Sequence, residues 1–159
     1  MRLTSFTDFG LRALMRLAGD PGCMLNTGDL ARELGVSRNH LTKVVQALAA
    51  GGLVVTRRGT RGGFELARSA DEITLGDAVR LLESNQTLVE CFRDDGGSCT
   101  LTARCRLKSR LAAAREAFLI ELDATTLADC AYPPRSVNVI EPRSSGDGGG
   151  SSVHRSSGR

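Results

Sequence analysis

The chain has 159 residues, 41% of them hydrophobic and 25% charged, which is enough to bury one core with an accessory element. Its start, Met1 to Asp8, lacks the apolar run of a signal peptide, and no later stretch reaches membrane-spanning length, so a cytoplasmic protein without a membrane partner is expected. The net charge is only +3, yet Val36 to Phe64 carries Arg38, Lys43, Arg57, Arg58 and Arg61 with no acidic residue, which points to a polyanionic partner.

In chain order, Phe6, Phe9, Ala13, Leu14 and Leu17 recur at helical spacing and predict a first helix over residues 6–18. Ser5 to Asp8 fits a capping box, in which the acid reaches back to a free backbone N–H. Asp20-Pro21-Gly22 predicts a turn, and Cys23, with no partner nearby in sequence, reads as a small core residue. Asn26 to Asp29 is a second capping-box match, opening a short helix through Leu30, Ala31 and Leu34 that Gly35 ends.

Ser37 is a good N-cap for the next helix, whose apolar stripe is Leu41, Val44, Val45 and Leu48 before Gly51-Gly52 stops it. A short helix, a tight turn and a longer helix make a helix-turn-helix. Ser37, Arg38, Asn39, His40, Thr42, Lys43 and Gln46 are then the candidates to meet bases and phosphates in a major groove. Helix pairs of this kind also occur in proteins that bind no nucleic acid, but the next segment favours binding. Leu53 to Thr56 and Phe64 to Ala67 read as two strands joined by an arginine-bearing loop, a wing whose Arg57, Arg58 and Arg61 can reach the backbone or minor groove.

Thr74 to Asp77 caps a further helix, residues 75–84, that leads into the segment Cys91 to Cys105. That segment holds three of the five cysteines, with seven residues between Cys91 and Cys99 and five between Cys99 and Cys105. Structural zinc sites use closer pairs and four ligands, so zinc matches poorly, whereas an iron-sulfur cluster tolerates the wider spacing. Spacing alone leaves buried apolar cysteines, a disulfide and metal ligation open. An odd cysteine count in a reducing cytosol favours metal or redox sensing. After Cys105, the residues Leu107, Leu111, Ala114, Phe118 and Leu122 form an apolar stripe on a long helix, which predicts a homodimer. Cys130 lies in a short helix before Pro133-Pro134 and lacks a metal-site context.

The expected fold is mainly α with a small β wing: a winged helix-turn-helix over 1–73, a cluster-binding loop and dimerisation helix over 74–132, and a disordered Gly/Ser/Arg-rich tail over 133–159. Catalysis is not expected, because the histidines are only His40 and His154 and no acid-base constellation accompanies them.

Phe9-Gly-Leu-Arg-Ala-Leu14, Ala49-Ala-Gly-Gly-Leu-Val-Val55, Arg58-Gly-Thr-Arg-Gly-Gly-Phe-Glu-Leu-Ala67 and the three loop cysteines together resemble the bacterial iron-sulfur winged-helix repressor family over residues 1 to about 132. Within it the chain looks most like the nitric-oxide-sensing NsrR branch. The resemblance implies a DNA-binding repressor that holds an iron-sulfur cluster, 4Fe-4S or, after oxygen exposure, 2Fe-2S. Its ligands would be Cys91, Cys99 and Cys105, with Asp8 contributed by the other subunit. Lys108 stands where the cluster-assembly branch has a ligating histidine. The gap between Cys91 and Cys99 is longer than the family pattern. An alternative within the family is a regulator that senses cluster supply, iron or redox state.

Overall fold

The computed structural model describes residues 2–59, 62–101 and 104–132. The predicted tail, 133–159, and Arg61 lie outside the described residues. Among the described residues, five α-helices and one hairpin run in the order α1 (Ser5–Ala18), α2 (Thr27–Leu34), α3 (Arg38–Ala50), β1 (Val54–Arg57), β2 (Gly63–Leu66), α4 (Leu75–Leu82) and α5 (Arg106–Asp123). Short 3-10 turns lie at Ala70–Glu72, Glu90–Phe92 and Ala128–Cys130. Mainly helical architecture with a two-stranded wing is thus what the periodicities predicted.

Two helix starts differ from expectation. Thr4, not Ser5, caps α1, its hydroxyl accepting from the Thr7 N–H at 3.2 Å. Asp8 therefore makes no capping box, and its carboxylate instead meets Arg12 one turn on, at 2.9 and 3.1 Å. Asn26 does cap α2, but through the Gly28 N–H at 2.8 Å, while Asp29 pairs with Arg32. Thr74 and Asp77 form the full reciprocal box that starts α4, which ends at Leu82 rather than residue 84.

The core collects the apolar stripes of α1, α2 and α3 with the wing and α4. Leu14, Leu41, Val44, Leu48, Phe64, Ile73 and Leu127 are all fully buried within it. Each such side chain stabilises the fold by about 1.5–3 kcal/mol relative to an exposed position. Cys23 falls outside this core. It is half-buried near Asp20, and burial followed by that hydrogen-bonded neighbour pushes its thiol above the usual range.

The wing strands pair antiparallel, Val54 with Leu66 through Arg57 with Gly63. Leu25 exchanges two 2.9 Å backbone bonds with Phe64, so β2 is held from both sides and the hairpin is fixed to the body beneath it. Beyond α5 the chain returns to the body: the Leu127 N–H donates to Ile73 O at 2.7 Å and the Tyr132 N–H to Met15 O at 2.9 Å. Arg80 and Asp123 join α4 to the end of α5 as a bidentate pair, at 2.5 and 2.6 Å. Within α5 only Leu119 is buried, and Leu107 and Ile120 stay 62% and 59% exposed. Among the described residues no helix is long and apolar enough to cross a membrane.

Candidate DNA-reading surface and cysteine loop

The reading helix begins where the sequence predicts. Gly35 at φ 68° takes the left-handed turn that closes α2, a conformation a β-carbon disfavours, and Ser37 then caps α3 by accepting from the His40 N–H at 3.2 Å. Because Leu41, Val44, Val45 and Leu48 face the core, Ser37, Arg38, Asn39, Lys43 and Gln46 are left exposed on the other side. Thr42 is half-buried, and its hydroxyl donates to Arg38 O at 2.8 Å. His40 is held differently from its neighbours. Its ring stacks on Phe6 with centroids 6.2 Å apart and meets Phe9 edge-on at 5.1 Å, so it joins α3 to α1.

In the wing, Arg57 reaches diagonally across the hairpin to Glu65 at 2.7 Å, and Arg58 is exposed at the turn. With Arg57 exposed and Glu65 half-buried, the pair contributes about 0–1 kcal/mol, small enough for a phosphate to compete for the guanidinium. Exposed cations on α3 and on the adjacent wing, with no acid on α3, suit a duplex whose backbone carries closely spaced negative charge.

Cys91 sits in the 3-10 turn Glu90–Phe92, Cys99 in the following loop, and Cys105 at the start of α5, where its side chain makes no capping bond. All three are half-buried and none is disulfide-bonded. The donor types fit an iron-sulfur cluster in kind, but among the described residues no three His, Cys, Asp or Glu side chains converge as a metal-holding group. Asp8 is carried on the first turn of α1 with 47% of its side chain exposed. An open cleft of about 920 Å³ lies between residues 84–95 and α5, with Cys91, Phe92, Lys108 and Arg115 in its lining.

Two carboxylates that sequence reasoning missed organise this region. Glu83, at the end of α4, accepts from the Thr4 N–H at 2.8 Å, the Thr4 hydroxyl at 3.0 Å and the hydroxyl of fully buried Thr7. Burial alone would raise its pKa, but the Thr7 and Thr4 bonds together outweigh it and hold the carboxyl below the usual range. Glu90 accepts from the Ser98 hydroxyl at 2.6 Å and the Ser98 N–H at 3.0 Å, and these bonds also hold it below the usual range. The doublets Glu90-Cys91 and Ser98-Cys99 were a signal that could have found the second contact. Nothing in the local sequence links Glu83 to a threonine 79 residues away.

The Rrf2 family model, described as an iron-dependent transcriptional regulator, matches residues 3–133. CymR (YrzC), the global cysteine regulator of B. subtilis, is 31% identical with a TM-score of 0.63, covering 82% of this chain and 96% of that one. The oxidised form of Staphylococcus aureus CymR is 29% identical with a TM-score of 0.64, at the same coverage of 82% and 96%. T. potens IscR is 26% identical with a TM-score of 0.64, covering 81% of this chain and 85% of that one. The chain therefore belongs to the Rrf2 family and is a winged-helix DNA-binding transcriptional regulator, not an enzyme.

Proposed function

We propose that this regulator is a cytoplasmic, homodimeric repressor that responds to nitric oxide through an iron-sulfur cluster, 4Fe-4S as assembled and 2Fe-2S after exposure to oxygen. Cys91, Cys99 and Cys105 would hold it, together with Asp8 of the partner subunit. The observation that carries this reading is the set of three half-buried, unbridged thiols in one loop of an iron-dependent regulator family. When bound, the cluster supplies iron to which nitric oxide can add. A carboxylate is a hard ligand beside soft thiolates, so Asp8 is the most readily displaced of the four. Its exposure on α1 leaves it available to a second chain.

The chain's own contacts supply a route from that site to the reading surface. Thr7, the neighbour of Asp8, is tied to Glu83, from which the cysteine segment departs. Phe6 and Phe9, on the same stretch of α1, pack on His40 of α3. A change in the position of the first turn of α1 is therefore felt at both places. In this reading the exposed apolar side chains of α5, Leu107 and Ile120, belong to the dimer surface, with residues 1–73 reading DNA and 74–132 sensing and dimerising. Ser37, Arg38, Asn39, Lys43 and Gln46 would serve the major groove, with half-buried Thr42 at its edge and His40 bracing α3 against α1, and with Arg57, Arg58 and Arg61 on the backbone or minor groove.

A second reading, a regulator of cluster supply, iron or redox state, draws on the likeness to IscR and to CymR in an oxidised form. Lys108 at the cleft, in place of a ligating histidine, favours the first. Anaerobic purification with iron, sulfide and absorbance analysis, followed by exposure to nitric oxide or peroxide, separates them. A brown protein whose operator binding is lost with nitric oxide at near-stoichiometric dose supports the first reading. Loss with peroxide alone supports the second, and colourless, iron-free protein contradicts every reading in which an iron-sulfur cluster is the sensor.

A further inference from the structure

We infer that Glu90 is a positioning residue that presets Cys91 and Cys99 as a working dithiol pair before any metal binds. The inference rests on the proposed role of the cysteine loop only in taking these two thiols to act together. The Glu90 carboxylate accepts from both the Ser98 N–H and the Ser98 hydroxyl, at 3.0 and 2.6 Å, so residues 90 and 98 are fastened across the loop. Cys91 and Cys99 are the residues that directly follow the two fastened ones.

The backbone is shaped for this closure. Gly96 and Gly97 have φ of 75° and 60°, and the Asp95 side chain accepts from the Gly97 N–H at 2.9 Å to complete the turn. A β-carbon on Gly97 would lie 2.8 Å from the backbone oxygen of Glu90, so only glycine lets the returning strand approach so closely. The longer interval between the first two cysteines is thus taken up by a left-handed turn folded back on Glu90, not by an open loop.

Without the fastening, bringing the two thiols together must overcome loop-closure entropy each time, and their effective concentration for one another falls. A fastened loop favours ligands that need two thiolates at once and is indifferent to reagents that need one. A purely structural part for Glu90 would change both alike.

The test uses full-length, metal-free, reduced protein with Cys23→Ala, Cys105→Ala and Cys130→Ala, titrated anaerobically with phenylarsine oxide. In that reaction two thiols give up their protons, two As–S bonds form, the arsenic oxygen leaves as water, and nothing is oxidised or reduced. Glu90→Ala should weaken arsenical binding by about tenfold. Alkylation of each thiol by iodoacetamide should stay within about twofold of the parent, as expected for half-buried thiols whose local exposure is unchanged. Glu90→Gln, which keeps an acceptor oxygen, should restore most of the affinity. Ser98→Ala, which removes one of the two bonds, should fall between. Arsenical affinity unchanged in Glu90→Ala, or alkylation rates that shift in parallel with it, overturns the inference. Because no iron is involved, its failure is distinct from failure of the cluster reading, which the iron and sulfide analysis decides.

Discussion

The Glu83 carboxylate, at the end of α4, accepts a hydrogen bond from the hydroxyl of Thr7, the residue before Asp8 on α1. Two segments 76 residues apart in sequence are thereby locked where the cysteine segment begins. Glu83→Ala leaves a buried hydroxyl and the Thr4 N–H without their acceptor, and should cost about 1–3 kcal/mol in urea unfolding at pH 7. Because the folded carboxyl titrates below its ordinary value, its ionised form stabilises the fold at pH above the unfolded value of about 4.3, and that contribution is lost as pH falls through the folded value. The stability gap between the parent and Glu83→Gln should therefore narrow in acid. A gap that widens on acidification would contradict the assignment.

DNA binding should divide between α3 and the wing. Arg58→Ala should weaken binding to all sequences alike and lower the salt slope by about one, as loss of a phosphate contact does. Arg38→Ala should change sequence preference by about 1–3 kcal/mol at the base it reads. Arg57→Ala should cost less than Arg58→Ala, because Glu65 already shares the Arg57 guanidinium. Competition assays with operator and random duplex across a salt series check all three. Equal losses with unchanged preference would count against this division.

The predicted stripe of α5 is half-buried at Leu111, Phe118 and Leu122, so its exposed apolar residues, Leu107 and Ile120, should be the ones that meet a second chain. Leu107→Asp and Ile120→Asp place a charge on side chains that make little use of the monomer core, so far-ultraviolet circular dichroism should be unchanged while sedimentation shows the dimer weakened at least tenfold. A dimer of undiminished strength in both variants would show that the chains meet elsewhere.

Alanine at Cys91, Cys99 or Cys105 should abolish the brown chromophore, and alanine at Cys23 or Cys130 should not, since only the first three share a loop. Asp8→Ala should still assemble a chromophore on three thiols but couple it poorly to DNA. Its Arg12 partner is exposed, so the lost ion pair itself is worth only about 0–1 kcal/mol. Loss of the chromophore in Cys23→Ala, with retention in Cys99→Ala, would overturn the ligand assignment.

The helices and the wing were legible in the sequence because their signals are local. Ser37, Gly35 and the Thr74–Asp77 box mark helix ends within a few residues, and the stripes of α1 and α3 repeat at 3.6. Thr4 was missed as the α1 cap because Ser5 to Asp8 offers an acid three residues on, which Thr4 to Thr7 does not, and what Thr4 gains, the contact with Glu83, is 79 residues away. His40 belonged by pattern to the exposed face of α3. Only the tertiary packing of α1 shows that Phe6 and Phe9 flank it. The three cysteines were visible as a group, but the Glu90–Ser98 fastening that shapes their loop depends on a turn whose register the spacing alone does not set.

The most direct test is operator affinity measured anaerobically for three forms of the same dimer: cluster-loaded, nitric-oxide-treated and metal-free. The loaded form should bind the operator at least tenfold more tightly than the other two, while binding to random duplex changes much less, because the spacing of two reading heads matters only where two half-sites must be met together. Equal operator affinity in all three forms would contradict this and leave the cysteine loop without a part in the switch.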